Sequence, residues 1–391
     1  MLKRDAIAMV HELEDAVNAH DVETLLNFYA ENAATVSPVY GEVFGRAAIS
    51  KSWETIFSLF PDWMVKVSDV LLDGDRVAFM GMASATDRNG WFGQAPTQTR
   101  IEYRAVILLT ISNGKIVRDE RIYDLTAVMQ CLEKAQLDKE LSMAAEVQRA
   151  LWSRTERGNG FCEAAGDSLP CRSIGGDFFE MHSLTSGDCA IALGDASGKG
   201  PPAAILAAMI QGMLAAEIES RCSPSAMLSR INRRLSHRGI EPRFATLVLG
   251  ILSPDGRFIY SNAGHNPPIL LAGDHIQRLE TGGRILGAFA ESLFEQETVA
   301  LSEGDTIVLF SDGVTEALNS QQQEFGEDRL ISYVSTNKSL PATDLVEGLL
   351  ESVTDFAGGA PRTDDTSVTV VRYTRAHRRI SPVRRCEDVT E

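Results

Sequence analysis

CAIALGDASGKG, residues 189–200, decides how this chain reads. Six apolar or small residues, Cys189 to Gly194, form a strand. A carboxylate, Asp195, closes it, and a glycine-rich turn leads into a helix that opens at Pro202. A phosphate-cradling P-loop is the first rival. It requires four residues between its glycines and Ser or Thr after Lys, whereas here Gly200 follows Lys199. What remains is a strand-end carboxylate beside a tight turn that frees backbone carbonyls, a setting that suits oxygen ligation of a hard cation.

The same pattern recurs outward from there. Asp177 stands in IGGDFFE, Asp312 in TIVLFSDGV, and Asp364/Asp365 precede TSVTVV. Any one of these is as well explained as a turn residue. Together they flank runs expected to lie side by side in a sheet. Like charges gathered that way need a cation between them, and oxygen-only ligands select Mg²⁺ or Mn²⁺. One bridging carboxylate can hold two such ions about 3.5–4 Å apart, and a water shared between them becomes a nucleophile at neutral pH.

Composition narrows the classes. The 391 residues predict two or three domains. With Lys plus Arg 37 against Asp plus Glu 54, the net charge is −17, unfavourable for nucleic acid or an anionic membrane. The six cysteines are scattered, with no CxxC and no zinc-site spacing, so reduced thiols are expected. Charges interrupt the first apolar stretch and no apolar run reaches about 20 residues, so neither a signal peptide nor a membrane span is expected. A cytoplasmic location follows as an expectation.

The pattern predicts α+β throughout. Amphipathic helix is read over residues 1–29, broken at Asn18-Ala-His-Asp21 with Asp21 as a second N-cap, then helix over 47–60. An antiparallel meander follows over 64–72, 76–85, 100–112 and 115–123, with turns at Asp73-Gly74-Asp75 and Asn113-Gly114. Residues 126–152 hold neither Gly nor Pro and predict a helix. It either pairs with its twin as a short coiled coil or packs on its own domain. Gly158-Asn-Gly160 is expected to end it. Strands are then expected near 177–182, 188–193, 245–252, 258–262, 306–310 and 366–372, and helices over 202–219, 225–235 and 343–356. The organisation read is a domain over 1–129, a linker helix over 130–155, a catalytic domain over 156–373 and a disordered tail over 374–391.

IGGDFFE, LGDASGKGPPAAI, FATLVLGIL, YSNAGHNPP, LFSDGVTEALN, FGEDRL and DDTSVTVV resemble, in order, the motifs of the metal-dependent protein phosphatase (PPM) superfamily in its SpoIIE-like branch. The resemblance implies a helix-flanked β-sandwich, two Mn²⁺ or Mg²⁺ ions, and serine/threonine phosphatase activity on proteins. It implies that Asp195 bridges both ions, that the Ala196 carbonyl and Asp177 serve the second, and that Asp312 and Asp364 serve the first. Asp195, Asp312 and Asp364 are then the catalytic set. The implied partner is a phosphorylated anti-anti-sigma (STAS) protein. His265 is read as ordering a loop in preference to acting as a general acid, and Lys199 either meets the phosphate or is a solvated turn residue.

The first 130 residues resemble a SnoaL-like domain of the nuclear-transport-factor-like cone fold, through VNAHDVETLLNFYAENAATVSPVYGEVFGR, FPDWMVKVSDVLLDGDRVAF, FGQAPTQTRIEY and ISNGKIVRDERIYDL. Gln98 stands where that family commonly has glycine. The resemblance implies an apolar pocket, a small ligand in it, and a homodimer. Asp124, in RIYDL, is the candidate pocket acid. A sensory or dimerising role is favoured. The alternative is isomerase or cyclase activity in the cone, with the phosphatase half accessory.

Overall fold

The structure is a computed structural model that describes residues 3–91, 93–152, 155–156, 160–220, 222–237 and 244–374. The expected tail from 375, Cys386, and most of the Gly158-Asn-Gly160 helix stop lie outside the described residues. Two compact units divide the chain, Met1–Glu140 and Leu141–Glu391. Cys131, Cys162, Cys171 and Cys222 are free thiols.

The first unit contains α1 (Lys3–Asn18), α2 (Val22–Asn27), β1 (Tyr29–Ser37), β2 (Gly41–Phe44), α3 (Arg46–Leu59), β3 (Met64–Asp73), β4 (Arg76–Thr86), β5 (Arg100–Ser112) and β6 (Lys115–Ile122). Ala6, Val10, Leu13 and Val17 recur at helical steps and form the buried stripe of α1. Asp21 caps α2, accepting from the Thr24 N–H at 3.0 Å. The meander of β3 to β6 lies where its turn residues put it. Tyr29, expected in a helix, instead opens β1, and β1 pairs with β6 in parallel, so the sheet is mixed. Its sequence, YAENAATVS, lacks the clean alternation that marks a strand, and its central alanines are buried in consecutive positions.

Gln98 has φ +62, the left-handed region that glycine occupies without strain. Gln98→Gly is therefore expected to stabilise the protein by about 1 kcal/mol, read as a raised midpoint in urea unfolding.

Helix α4 (Leu125–Ala150) follows, and the division between the units falls inside it. The second unit continues with β7 (Thr155–Glu156), β8 (Cys162–Leu169), β9 (Asp177–Ser183), β10 (Cys189–Ala196), α5 (Pro201–Ile218), α6 (Pro224–Ser236), β11 (Ala245–Leu252), β12 (Arg257–Ala263), β13 (Ile269–Ala272), β14 (His275–Arg278), β15 (Gly282–Gly283), β16 (Glu297–Ala300), β17 (Thr306–Phe310), α7 (Asp312–Thr315), α8 (Gly326–Thr336), α9 (Ala342–Ala357) and β18 (Thr366–Tyr373). One sheet runs β15-β12-β11-β10-β9, with β16 on β12; the other runs β14-β13-β17-β18-β8-β7. Period-two alternation in β10 shows how they stack. Ile191 and Leu193 enter the core between the sheets, while Ala190 and Ala192 pack under α5 and α6. Helices α8 and α9 cover the second sheet. The result is a β-sandwich flanked by helices, and both units are α+β.

Strands β8, β13 and β14 and helix α8 escape the sequence reading. β8 is rich in Ala, Gly and Ser, and the hairpin strands have four residues each. Helix α5 is long and apolar enough to cross a membrane by length and composition, the one such helix among the described residues. Its Leu206, Ile210, Leu214 and Ile218 lie in the core of its own domain.

Candidate metal centre and N-terminal cavity

Antiparallel pairing of β9 with β10 sets Asp177 directly opposite Asp195. β17 ends at Phe310, so Asp312 stands at the start of α7, and Asp364 immediately precedes β18. Burial, then Asp312, Asp364 and Asp365, push the Asp195 carboxyl up to about 7. Asp177, 2% exposed, is held far above its ordinary range by burial and then by Asp195 and Asp365, although the Ser367 hydroxyl donates to it at 2.5 Å. Burial and Asp364 raise Asp312 as well. The four sequence-read aspartates therefore feel one another across one site. Among the described residues, no three His, Cys, Asp or Glu side chains stand in position to clasp one ion as they lie.

The donor set nonetheless fits a hard cation. Every candidate ligand is oxygen, and crowded carboxylates that resist ionising are what a divalent charge relieves. The wall is also shaped for it. A Cβ at Gly176 would come within 2.5 Å of the Ala196 carbonyl oxygen and 3.1 Å of an Asp195 oxygen, so only glycine leaves that space open.

Asp364 and Asp365 have different environments. Asp364 is partly exposed and lies 3.0 Å from the Lys199 ammonium, which also donates to the Thr363 carbonyl. Asp365 is buried and fastens loops, accepting from the N–H groups of Cys171 at 2.8 Å and Gly176 at 2.6 Å. Lys199 thus holds a candidate ligand in this structure. His265 is 5% exposed and shares a hydrogen bond with the Thr246 hydroxyl through Nδ1 at 2.8 Å. Burial pulls it down to about 4, so it is neutral at pH 7 and orders its loop together with Asn262.

The first unit holds a separate cavity of about 110 Å³, walled by apolar and aromatic side chains such as Trp53, Phe60, Trp63 and Tyr103. Asp124 is not in its wall. That side chain is exposed and caps α4, accepting from the Ala127 N–H at 2.9 Å. The expectation of a pocket acid at Asp124 is therefore corrected, because the chain turns from β6 into α4 there and the carboxylate serves the helix end. Two acids line the wall, Glu14, which accepts from the Val67 N–H at 2.9 Å, and the more deeply buried Asp119, 2% exposed. Asp119 accepts from Arg121 at 2.8 Å and from the Tyr29 hydroxyl at 2.7 Å. Burial pulls the Arg121 guanidinium down and Asp119 more than offsets this, leaving it above its ordinary value. Arg121 also lies over the Trp53 ring at 4.3 Å. Alternation in KIVRDERI would not have pointed to Asp119, since residues three apart face opposite sides; Ile116 and Asp119 are both buried because the register of β6 against β5 shifts between Ile116 and Arg118.

Comparison with known proteins follows this division. The family "Stage II sporulation protein E (SpoIIE)" matches residues 185–374, and "SnoaL-like polyketide cyclase" matches residues 7–132. The chain joins a SnoaL-like domain to a SpoIIE-type PP2C domain. It is 30% identical over 188 residues to the phosphoserine phosphatase RsbU of Bacillus subtilis, which spans 46% of this chain and 55% of that one. It is 26% identical over 231 residues to protein IcfG of Synechocystis, spanning 52% of this chain and 36% of that one. The chain thus matches only about a third to a half of the length of these curated relatives. Among solved structures, the SiaA PP2C domain of Pseudomonas aeruginosa superposes with a TM-score of 0.54 at 19% identity, covering 62% of this chain and 98% of that one. That likeness bears on the fold of the second unit. The SpoIIE match begins at residue 185, so Asp177 is tied to the site by its pairing with Asp195.

Proposed function

We propose that this protein is a metal-dependent protein serine/threonine phosphatase acting in signal transduction, with a phosphorylated STAS-domain anti-anti-sigma protein as its substrate. The observation that carries the reading is Asp177 opposite Asp195, with Asp312 and Asp364 close enough to raise the Asp195 carboxyl, on a PP2C-type sandwich. Similarity to RsbU, a phosphoserine phosphatase, supports the reaction class.

In this reading two Mn²⁺ or Mg²⁺ ions are held by Asp195, the Ala196 carbonyl, Asp312, Asp364 and Asp177. When bound, such ions supply an acidified water and neutralise charge on a phosphoryl group. The chain's own residues do the rest. Gly198 and Gly200, both at positive φ, turn the backbone sharply away after Asp195 and leave its carboxylate accessible. Ser367 and Asp365 fix Asp177 and its loop from behind. The SnoaL-like domain regulates, through a small ligand in its cavity or through a homodimer. Exposed Leu137 and Val147 on α4, with Leu151 just past its end, support such pairing. A cytoplasmic location belongs to the same proposal.

The test is phosphate release from serine-phosphorylated STAS proteins. Release is expected with Mn²⁺, to vanish on chelation and to return when Mn²⁺ is restored. Release that persists in Asp195→Ala, or that ignores the chelator, refutes the proposal.

A further inference from the structure

Gly175 and Gly176 wall the acidic cluster. A Cβ at Gly175 would collide with the Asp365 carboxylate, and one at Gly176 with the Ala196 carbonyl. Two successive glycines have no side chains to secure them and lose the most freedom on folding. Their geometry must be imposed from outside. Gly176 is tied on one side, donating its N–H to Asp365 at 2.6 Å and accepting from the Ala196 N–H at 3.1 Å. Gly175 is tied on the other by one side chain. Gln148 Nε2 donates to the Gly175 carbonyl at 2.8 Å, and Gln148 Oε1 accepts from the Gly175 N–H at 3.2 Å.

Gln148 is 7% exposed and lies in the last turn of α4. Ala145, Gln148 and Trp152 are buried at steps of three and four, while Met143, Val147 and Leu151 are exposed, so this end of the chain segment docks by one face. Trp152 packs on Phe179 at 5.5 Å, two residues beyond Asp177 on β9.

The geometry points to Gln148 as a positioning residue for the metal centre: its amide fixes the Gly175–Asp177 turn, and through that turn the Asp177 carboxylate and the Ala196 carbonyl. This rests on the metal reading above. A side-chain amide offers a donor and an acceptor in one plane to the N–H and C=O of a single residue at any pH, without charge. Glutamate loses the donor and adds charge to an acidic cluster. The same helix has Val128 and Leu132 in the core of the first unit. A shift of α4 along its axis by one residue, about 1.5 Å, is large against bonds of 2.8 and 3.2 Å and would disturb both. Gln148 is therefore where a displacement of the helix reaches the site.

The test uses the full chain. Gln148→Met keeps the length and helix preference and deletes both bonds. It is expected to stay folded by far-UV circular dichroism and to bind Mn²⁺ about tenfold more weakly in calorimetry, as for other lost supports behind metal ligands. Hydrogen exchange at the amides of 175–177 is expected to rise about tenfold, with β11 unchanged. Gln148→Glu, which keeps the acceptor, should fall between in exchange. A folded Gln148→Met with wild-type Mn²⁺ affinity and exchange overturns the inference. If that variant does not fold, Gln148→Ala, which also deletes both bonds and suits a helix, decides: unchanged protection at Gly175 overturns the inference, and lost protection upholds it. Wild-type protein that binds no Mn²⁺ defeats the metal reading, while exchange at Gly175 still judges the clamp.

Discussion

Asp195→Asn should abolish phosphate release and yet make the metal-free protein more stable at pH 8. Burial and three neighbouring carboxylates lift this group from 3.8 to about 7 in the fold. A carboxyl with a raised folded pKa binds its proton more tightly when folded than when unfolded. Between pH 4 and pH 7 the folded state therefore carries the extra proton, and stability falls as pH rises through that window. Above it the folded protein bears an ionised cluster that resists its own charge. At about 1.36 kcal/mol per unit, removing the charge at Asp195 returns on the order of 2–4 kcal/mol. The measurement is thermal unfolding in chelator at pH 5 and pH 8. Wild type should lose stability between the two, Asp195→Asn should lose much less, and Mn²⁺ should restore wild type alone. A variant less stable than wild type in chelator at pH 8 would show that Asp195 holds the fold together by some other means.

The second large effect concerns the cavity of the first unit. Asp119→Ala should destabilise that unit by about 3–5 kcal/mol, because it strands the Arg121 guanidinium, a buried charge, without its partner. The Tyr29 hydroxyl loses its acceptor at the same time. Replacing both members, Asp119→Leu with Arg121→Met, should recover most of the loss, since two desolvation penalties disappear together. Three of the four tryptophans, Trp53, Trp63 and Trp91, lie in this unit, so urea unfolding followed by fluorescence reads it directly in the whole chain. A double variant as unstable as Asp119→Ala would mean that the pair supports the cavity through shape and not through charge. The outcome also bears on the idea of a cyclase. A carboxylate whose oxygens already accept from Arg121 and Tyr29 is built into the wall, and Asp124 serves a helix end outside it.

Much of the site is legible because its chemistry is local. Each of the four aspartates flanks an apolar run beside glycine or a turn, Asp177 and Asp364 before it and Asp195 and Asp312 at or after its end, and that pattern needs no knowledge of what lies across the sheet. Asp21 is legible for the same reason, since a cap contacts residues three positions away. The supports are different. Asp365 reaches Cys171, 194 residues earlier in the chain, and Ser367 reaches Asp177 across 190. Gln148 is one polar residue on a helix whose charged side chains face water. Nothing in its neighbours marks it for Gly175. Asp119 and Asp124 stand five positions apart in one segment, and only the end of β6 puts the first in the cavity wall and the second on a helix cap.

Residue order alone was enough for the elements that repeat with a period, for two α+β units, and for a set of acidic strand ends that calls for a cation. Those properties depend on interactions within a few residues and on the balance of apolar and charged side chains. The folded chain was needed to separate ligand from fastener among adjacent carboxylates, to turn β1 parallel to β6, and to bring a helix glutamine onto a glycine pair. The reason is physical. Burial and hydrogen bonding between distant segments set the energy of a charge or an amide, and those arise only when the sheets close on each other.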